Sequence, residues 1–137
     1  MLQHCSQADW VKAQSFVGTP YLAGEFDCAH FFIKAQKEIF NRTVLLPFEK
    51  HNQGKAGQAA QIKLVRDNLA VKIEPENGCA VLMISINAWH VGTLLIYNGT
   101  QWVLHNSRAI GGVELTKIRD LPSRGLRVEG FYRLCTN

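Results

Sequence analysis

Cysteine is scarce in this chain, and what there is forms no pattern. Cys5, Cys28, Cys79 and Cys135 are the four thiols in 137 residues. They are too few and too scattered for a disulfide framework, and no two form a CxxC pair, so a thiol-rich zinc site is not expected. The Cys and His spacings suggest no other metal site, and no cofactor is expected. An excess of charge of one sign is also small: 15 Lys plus Arg against 11 Asp plus Glu leave +4. That surplus suits an acidic partner without choosing among a wall polymer, a membrane surface and nucleic acid. No basic stripe appears, and Trp89 and Trp102 lie only loosely near basic residues, so nucleic acid is not an expected partner. Long apolar runs are missing. The most apolar window, Cys79 to Tyr97, carries Asn87 and His90 in its middle, which excludes a membrane span there. The first residues, MLQHCSQADW, lack a basic segment followed by an apolar one, so no signal peptide is expected. Synthesis as a soluble cytoplasmic chain follows, and work outside the cytoplasm would need another delivery route.

The remainder is an ordinary globular mixture. With 47% apolar and 19% charged residues, disorder is excluded. The length fits one domain, 1–137, which can bury roughly two-thirds of its unfolded surface without a staple. There is no repeat, linker or low-complexity stretch.

Helical signals come first. Ser6 is an N-cap candidate, with Asp9 in the first turn, and Trp10, Ala13 and Val17 follow at helical spacing until Gly18. Thr19 to Gly24 reads as an extended loop. Asp27 is the next N-cap candidate. Behind it Cys28, Phe31, Phe32, Ala35 and Ile39 form one helical stripe that runs to about Phe40. A third, weaker helix is predicted over about Gly57 to Leu69. From Val71 the period changes to that of strands: Val71 to Glu74 alternates, and Cys79 to Ile86 is a run suited to a central strand covered on both faces. His90 to Tyr97 and Gln101 to Ser107 flank Asn98-Gly99, a strong hairpin signal. Further strands are predicted near Val113 to Leu115 and from Leu126 to about Leu134. The expected fold class is α+β, with N-terminal helices packed on an antiparallel sheet of about five strands.

Cys28 follows a predicted N-cap in the first turn of an apolar helix. Helix N-termini carry partial positive charge and unpaired N–H groups, which lower a thiol pKa and favour a nucleophile. The alternative is an inert buried thiol. A thiol needs a base, and the hairpin offers two histidines. With a two-residue turn at Asn98-Gly99, Tyr97 pairs with Thr100, Gly92 with His105, and His90 with Ser107. His90 and His105 then lie on one face as diagonal neighbours, with Gly92 leaving that face uncrowded. This suits a base oriented by a second polar group. A three-residue loop would separate the rings. Each histidine taken singly could be a half-buried residue with a satisfied hydrogen bond. His30 falls off the apolar stripe, and His4 and His51 read as surface residues.

The ordered set Gly18-Thr19-Pro20-Tyr21, Phe26-Asp27-Cys28, His90-Val91-Gly92 and His105 resembles the NlpC/P60 cell-wall peptidases, from about Val17 to Arg133. The closing Gly130-Phe131-Tyr132-Arg133 is similar to the end of phage-tail members. The resemblance implies a papain-like fold, with Cys28 as nucleophile, His90 as general base and His105 as orienting third member. It places Tyr21 beside the active site, where its hydroxyl helps hold the oxyanion, and assigns Asp27 and Gly92 to substrate binding. Asp27 would take the substrate's free amino group, a role compatible with N-capping; Tyr21 would otherwise simply pack behind Pro20. Two departures stand out. Asp27-Cys28-Ala29-His30 replaces the usual Asp-Cys-Ser-Gly, and Gly78-Cys79 replaces Gly-Asp. The missing serine hydroxyl removes a substrate contact.

The implied activity is that of a cysteine endopeptidase or amidase on peptidoglycan stem peptides, most often between D-Glu and a diamino acid. Action in the periplasm or at the cell wall would then require delivery as a phage component or through a secretion system. An exported toxin would come with an immunity protein. The alternatives are a CHAP-type amidase and a non-catalytic binding or assembly module that retains the fold.

Overall fold

A computed structural model describes residues 4–23, 25–44, 70–86 and 88–134. The first helix, α1 (Gln7–Phe16), begins where Ser6 adopts an extended backbone and its side chain accepts the Asp9 N–H at 3.1 Å. It buries only Trp10 and Ala13. Val17, expected on the apolar stripe, is the C-cap and is exposed. The second helix, α2 (Cys28–Phe40), is strongly amphipathic. Cys28, Phe31, Phe32, Ala35 and Ile39 are all buried. Burying each phenylalanine contributes roughly 1.5–3 kcal/mol. Asp27 caps the start, and Asn41, left-handed at φ 54°, closes the end by returning its N–H to Lys37 at 3.0 Å. The helix predicted over 57–69 lies outside the described residues.

The strands are β1 (Ala70–Ile73), β2 (Ala80–Ser85), β3 (Ala88–Tyr97), β4 (Thr100–Ser107), β5 (Gly112–Lys117) and β6 (Arg127–Leu134). They form one antiparallel sheet in the order β1-β6-β2-β3-β4-β5. The fold is therefore α+β, as expected, and the described residues form a sheet of six strands where about five were expected. The short alternating segment at 70–73 pairs in full along β6, from Ala70 opposite Leu134 to Ile73 opposite Phe131. A short 3-10 helix, Ile118–Arg124, joins β5 to β6. It carries no long-period apolar pattern and was not expected.

The β3–β4 turn has two residues, with Asn98 at φ 51° and Gly99 at φ 75°. Positive φ at both central positions matches the right-handed twist of the strands and fixes the register. Pairs run from Tyr97 opposite Thr100 to Thr93 opposite Leu104.

Alternation then sorts side chains between two faces. Ala80, Leu82, Val91, Leu95, Leu104 and Val113 meet the helices. Cys79, Val81, Met83, Leu94, Ile96 and Val103 pack on the other face with Leu121 and Leu126. The central β2 is thus covered on both sides, which explains its continuous apolar sequence.

Candidate active site

The loop after α1 is stitched to the start of β5. Gly18 donates to Val113 O at 3.0 Å, Val113 donates to Thr19 O at 2.9 Å, and Tyr21 donates to Gly111 O at 3.1 Å. A Cβ on Gly112 would sit 2.6 Å from the Thr19 carbonyl oxygen, so only glycine permits this approach. The loop then folds on itself, with Phe26 donating to Leu22 O at 2.7 Å. Asn106 on β4 donates to Phe26 O at 2.9 Å. This ties the residues just before Cys28 to the strand that carries His105. Asn106 gave no signal in the sequence, because its role depends on the cross-chain approach of Phe26. Its Oδ1 is buried with no hydrogen-bond partner among the described residues.

Cys28 opens α2 as expected, but its acidity runs opposite to expectation. Burial pushes its pKa up to about 12 and outweighs the N–H groups of Val91, Ala29 and Cys28 itself, which stabilise the thiolate; the neighbouring Asp27 charge raises it further. Only 3% of the residue is exposed. The resting sulfur is therefore a neutral thiol held against the peptide that links His90 to Val91. Cys5 and Cys79 are also free and buried, with pKa values raised to about 11, chiefly by burial.

His90 and His105 are in direct contact: His90 Nε2 lies 2.8 Å from His105 Nδ1, with the rings edge to face. This is the diagonal contact that a two-residue turn requires. A Cβ on Gly92 would stand 3.0 Å from His105 Cβ and 2.5 Å from Val103 Cγ1. Glycine here lets β3 and β4 close tightly beside the two rings. Burial lowers the His90 pKa well below its usual value, and the His105 charge adds to this. Burial, then the Arg124 charge, lowers His105 to about 4. Both rings are neutral near pH 7. His105 Nε2 lies 2.9 Å from Thr116 Oγ1. The Thr116 hydroxyl donates to Glu114 Oε1, and Arg124 Nε donates to the same oxygen at 2.9 Å. Among the described residues, no hydrogen bond is formed at His90 Nδ1.

The other expected site residues divide. Tyr21 is half-buried and close enough to Cys28 and Asp27 for their charges to act on its hydroxyl. Burial comes first, then those two charges, in raising its pKa to about 12, while Arg108 opposes them. Asp27 is fully buried, and its Oδ1 accepts the His30 N–H at 3.0 Å and lies 2.7 Å from His30 Nδ1. Its geometry displays the N-cap role. Gly92 serves close packing of the strands. His4 is exposed, and His51 lies outside the described residues. Among the described residues, no group of three or more His, Cys, Asp or Glu side chains could hold a metal ion. No helix among them is long and apolar enough to cross a membrane.

Comparison with protein-family models, with curated proteins and with solved structures gives no match to this chain.

Proposed function

We propose that the protein is a cysteine endopeptidase or amidase with a papain-like NlpC/P60 arrangement, acting on an amide bond of peptidoglycan stem peptides. The observation that carries this reading is the meeting of three elements. A thiol at a helix start lies against the His90–Val91 peptide, and His90 is held by a second buried imidazole. On this reading Cys28 Sγ attacks the amide carbonyl as its proton passes to His90. The N–H groups at the start of α2, with the Tyr21 hydroxyl, receive the oxyanion. His90 returns the proton to the departing amine. Water then attacks the thioester, with His90 as its base, and releases the acid and the thiol. His105 fixes the His90 ring. A neutral thiol–imidazole pair makes proton transfer part of the attack, so rate depends on the basicity and aim of His90.

The wall assignment rests on the motif resemblance and on charge. The exposed Arg108 acts on Tyr21 at the same place and suits a free carboxylate such as that of a stem-peptide D-Glu. Delivery by a phage particle or secretion system, and restraint by an immunity protein, belong to this proposal.

Incubation of purified sacculi with the protein, beside Cys28→Ala and His90→Ala, tests it. Release of stem-peptide fragments by wild type alone is the expected result, and the mass of the products identifies the bond. Equal release by either variant sinks the assignment. The deep burial of Cys28 favours one second reading, a non-catalytic module that keeps the fold. That reading predicts no release by wild type from any sacculus preparation.

A further inference from the structure

At the far end of the chain of contacts around His105 the hydrogen-bond roles are unambiguous. An ionised carboxylate only accepts hydrogen bonds. Glu114 is paired with Arg124, whose Nε lies 2.9 Å from Oε1. The Thr116 hydroxyl has one hydrogen, and it goes to Glu114 Oε1. Toward His105, 2.9 Å away, Thr116 Oγ1 can therefore only accept. His105 must carry its proton on Nε2, and a neutral ring then presents a bare Nδ1. That Nδ1 accepts from His90 Nε2 at 2.8 Å, so His90 too carries its proton on Nε2. The remaining lone pair of His90 stands on Nδ1, which makes no hydrogen bond among the described residues.

We infer that Glu114 and Thr116 are positioning residues that impose one tautomer on His105 and through it on His90, leaving His90 Nδ1 as the base of the site. The inference rests on the proposed Cys–His reading for its catalytic meaning. The polarity of the chain itself is a property of the free protein. Alternation on β5 supports it: Glu114 stands opposite His105 and Thr116 opposite Val103, so both share the face of the imidazoles. Arg124, at the end of the 3-10 helix, approaches the same face and holds the carboxylate from its outer side. A reversed chain would place two acceptors or two donors against each other in a buried site, an arrangement proteins avoid.

The test uses histidine labelled with ¹⁵N in the full-length protein near neutral pH, with long-range proton–nitrogen correlations to identify each tautomer. The expected result is Nε2–H on both His90 and His105 in wild type. Thr116→Val removes the acceptor and is expected to convert His105 to a mixture of tautomers, with His90 following. Release of fragments from sacculi should then fall on the order of tenfold to a hundredfold, below the loss of about 10⁴ seen when a triad tautomer is fully reversed. Thr116→Ser should restore both the spectrum and the rate. Glu114→Gln, at a partly exposed position, should give a smaller shift in the same direction. A wild-type His90 protonated on Nδ1 would overturn the inference whatever the variants do. So would a Thr116→Val protein with unchanged tautomers and unchanged rate. The spectra require no substrate. If wild type shows the expected tautomers but releases nothing from sacculi, the wall-hydrolase reading fails while the assignment of polarity stands.

Discussion

The two ends of the β3–β4 hairpin share one ladder and have little else in common. At the turn end the side chains are aromatic and their contacts forgiving. Trp10 stacks on Tyr97 with ring centroids 4.3 Å apart, Trp102 tilts against it at 5.3 Å, and Lys117 lies over Trp102. At the open end the buried groups are polar: His90, His105, Asn106, Ser107 and, across on β5, Thr116. Apolar contact tolerates small errors of placement. A buried imidazole does not, because each nitrogen must find a partner of the right sense. The turn end therefore secures the register, and the open end depends on it.

Substitutions at the two ends should separate these roles. The largest expected effect is on activity at the open end. On the proposed reading, His90→Ala should lower the rate of fragment release by about 100-fold to 10,000-fold, the usual contribution of a general acid–base, with little change in secondary structure by circular dichroism. Trp10→Ala at the turn end should instead cost about 3–5 kcal/mol in denaturant unfolding. It should leave the histidine tautomers unchanged in whatever fraction remains folded. If Trp10→Ala altered the tautomers, the two ends would not be independent.

Acid should act through the open end as well. The His105 pKa is lowered from 6.5 to about 4 in the folded chain, and His90 is lowered too. Between those values the unfolded chain binds more protons than the folded one, so stability rises with pH. It is lost as pH falls from about 6.5 toward about 4. Thermal melts at about pH 7 and about pH 5 should show this, with a shallower dependence in His105→Gln. An unchanged slope would mean that His105 does not carry the effect.

Gly92→Ala should cost roughly 1–3 kcal/mol, because its Cβ would lie 2.5 Å from Val103 Cγ1, an atom locked in the core. The smallest change is expected at the turn itself. Gly99→Ala meets no neighbour within 4 Å, and its cost of about 1 kcal/mol comes from φ 75° alone. Urea titrations of the two variants would rank them, and the opposite order would contradict the division between the ends.

Much of the frame was legible because local chemistry decides it. Ser6 and Asp27 cap the helices that their spacing suggested, and Asn98-Gly99 set the parity that brings His90 to His105. Other features depend on partners distant in the chain. Glu114 lies in the strand expected near Val113 to Leu115 and Thr116 just beyond it, and neither gains a role until β5 is seen in register with β4. The β1 segment is too short to stand out without β6. The acidity of Cys28 was misjudged for a related reason. A helix start is visible in sequence, whereas the cluster of Phe32, Val91 and Tyr132 that buries it is assembled from three separate elements.

That burial has a consequence for endurance. Oxidants attack exposed thiolates first, through sulfenic acid to forms that cannot be reversed. A sulfur that keeps its proton and lies beneath the surface is a poor target. On the proposed reading, such a protein could spend long periods in an oxidising compartment with its nucleophile intact. Peroxide should inactivate it more slowly than an enzyme that keeps its thiolate exposed.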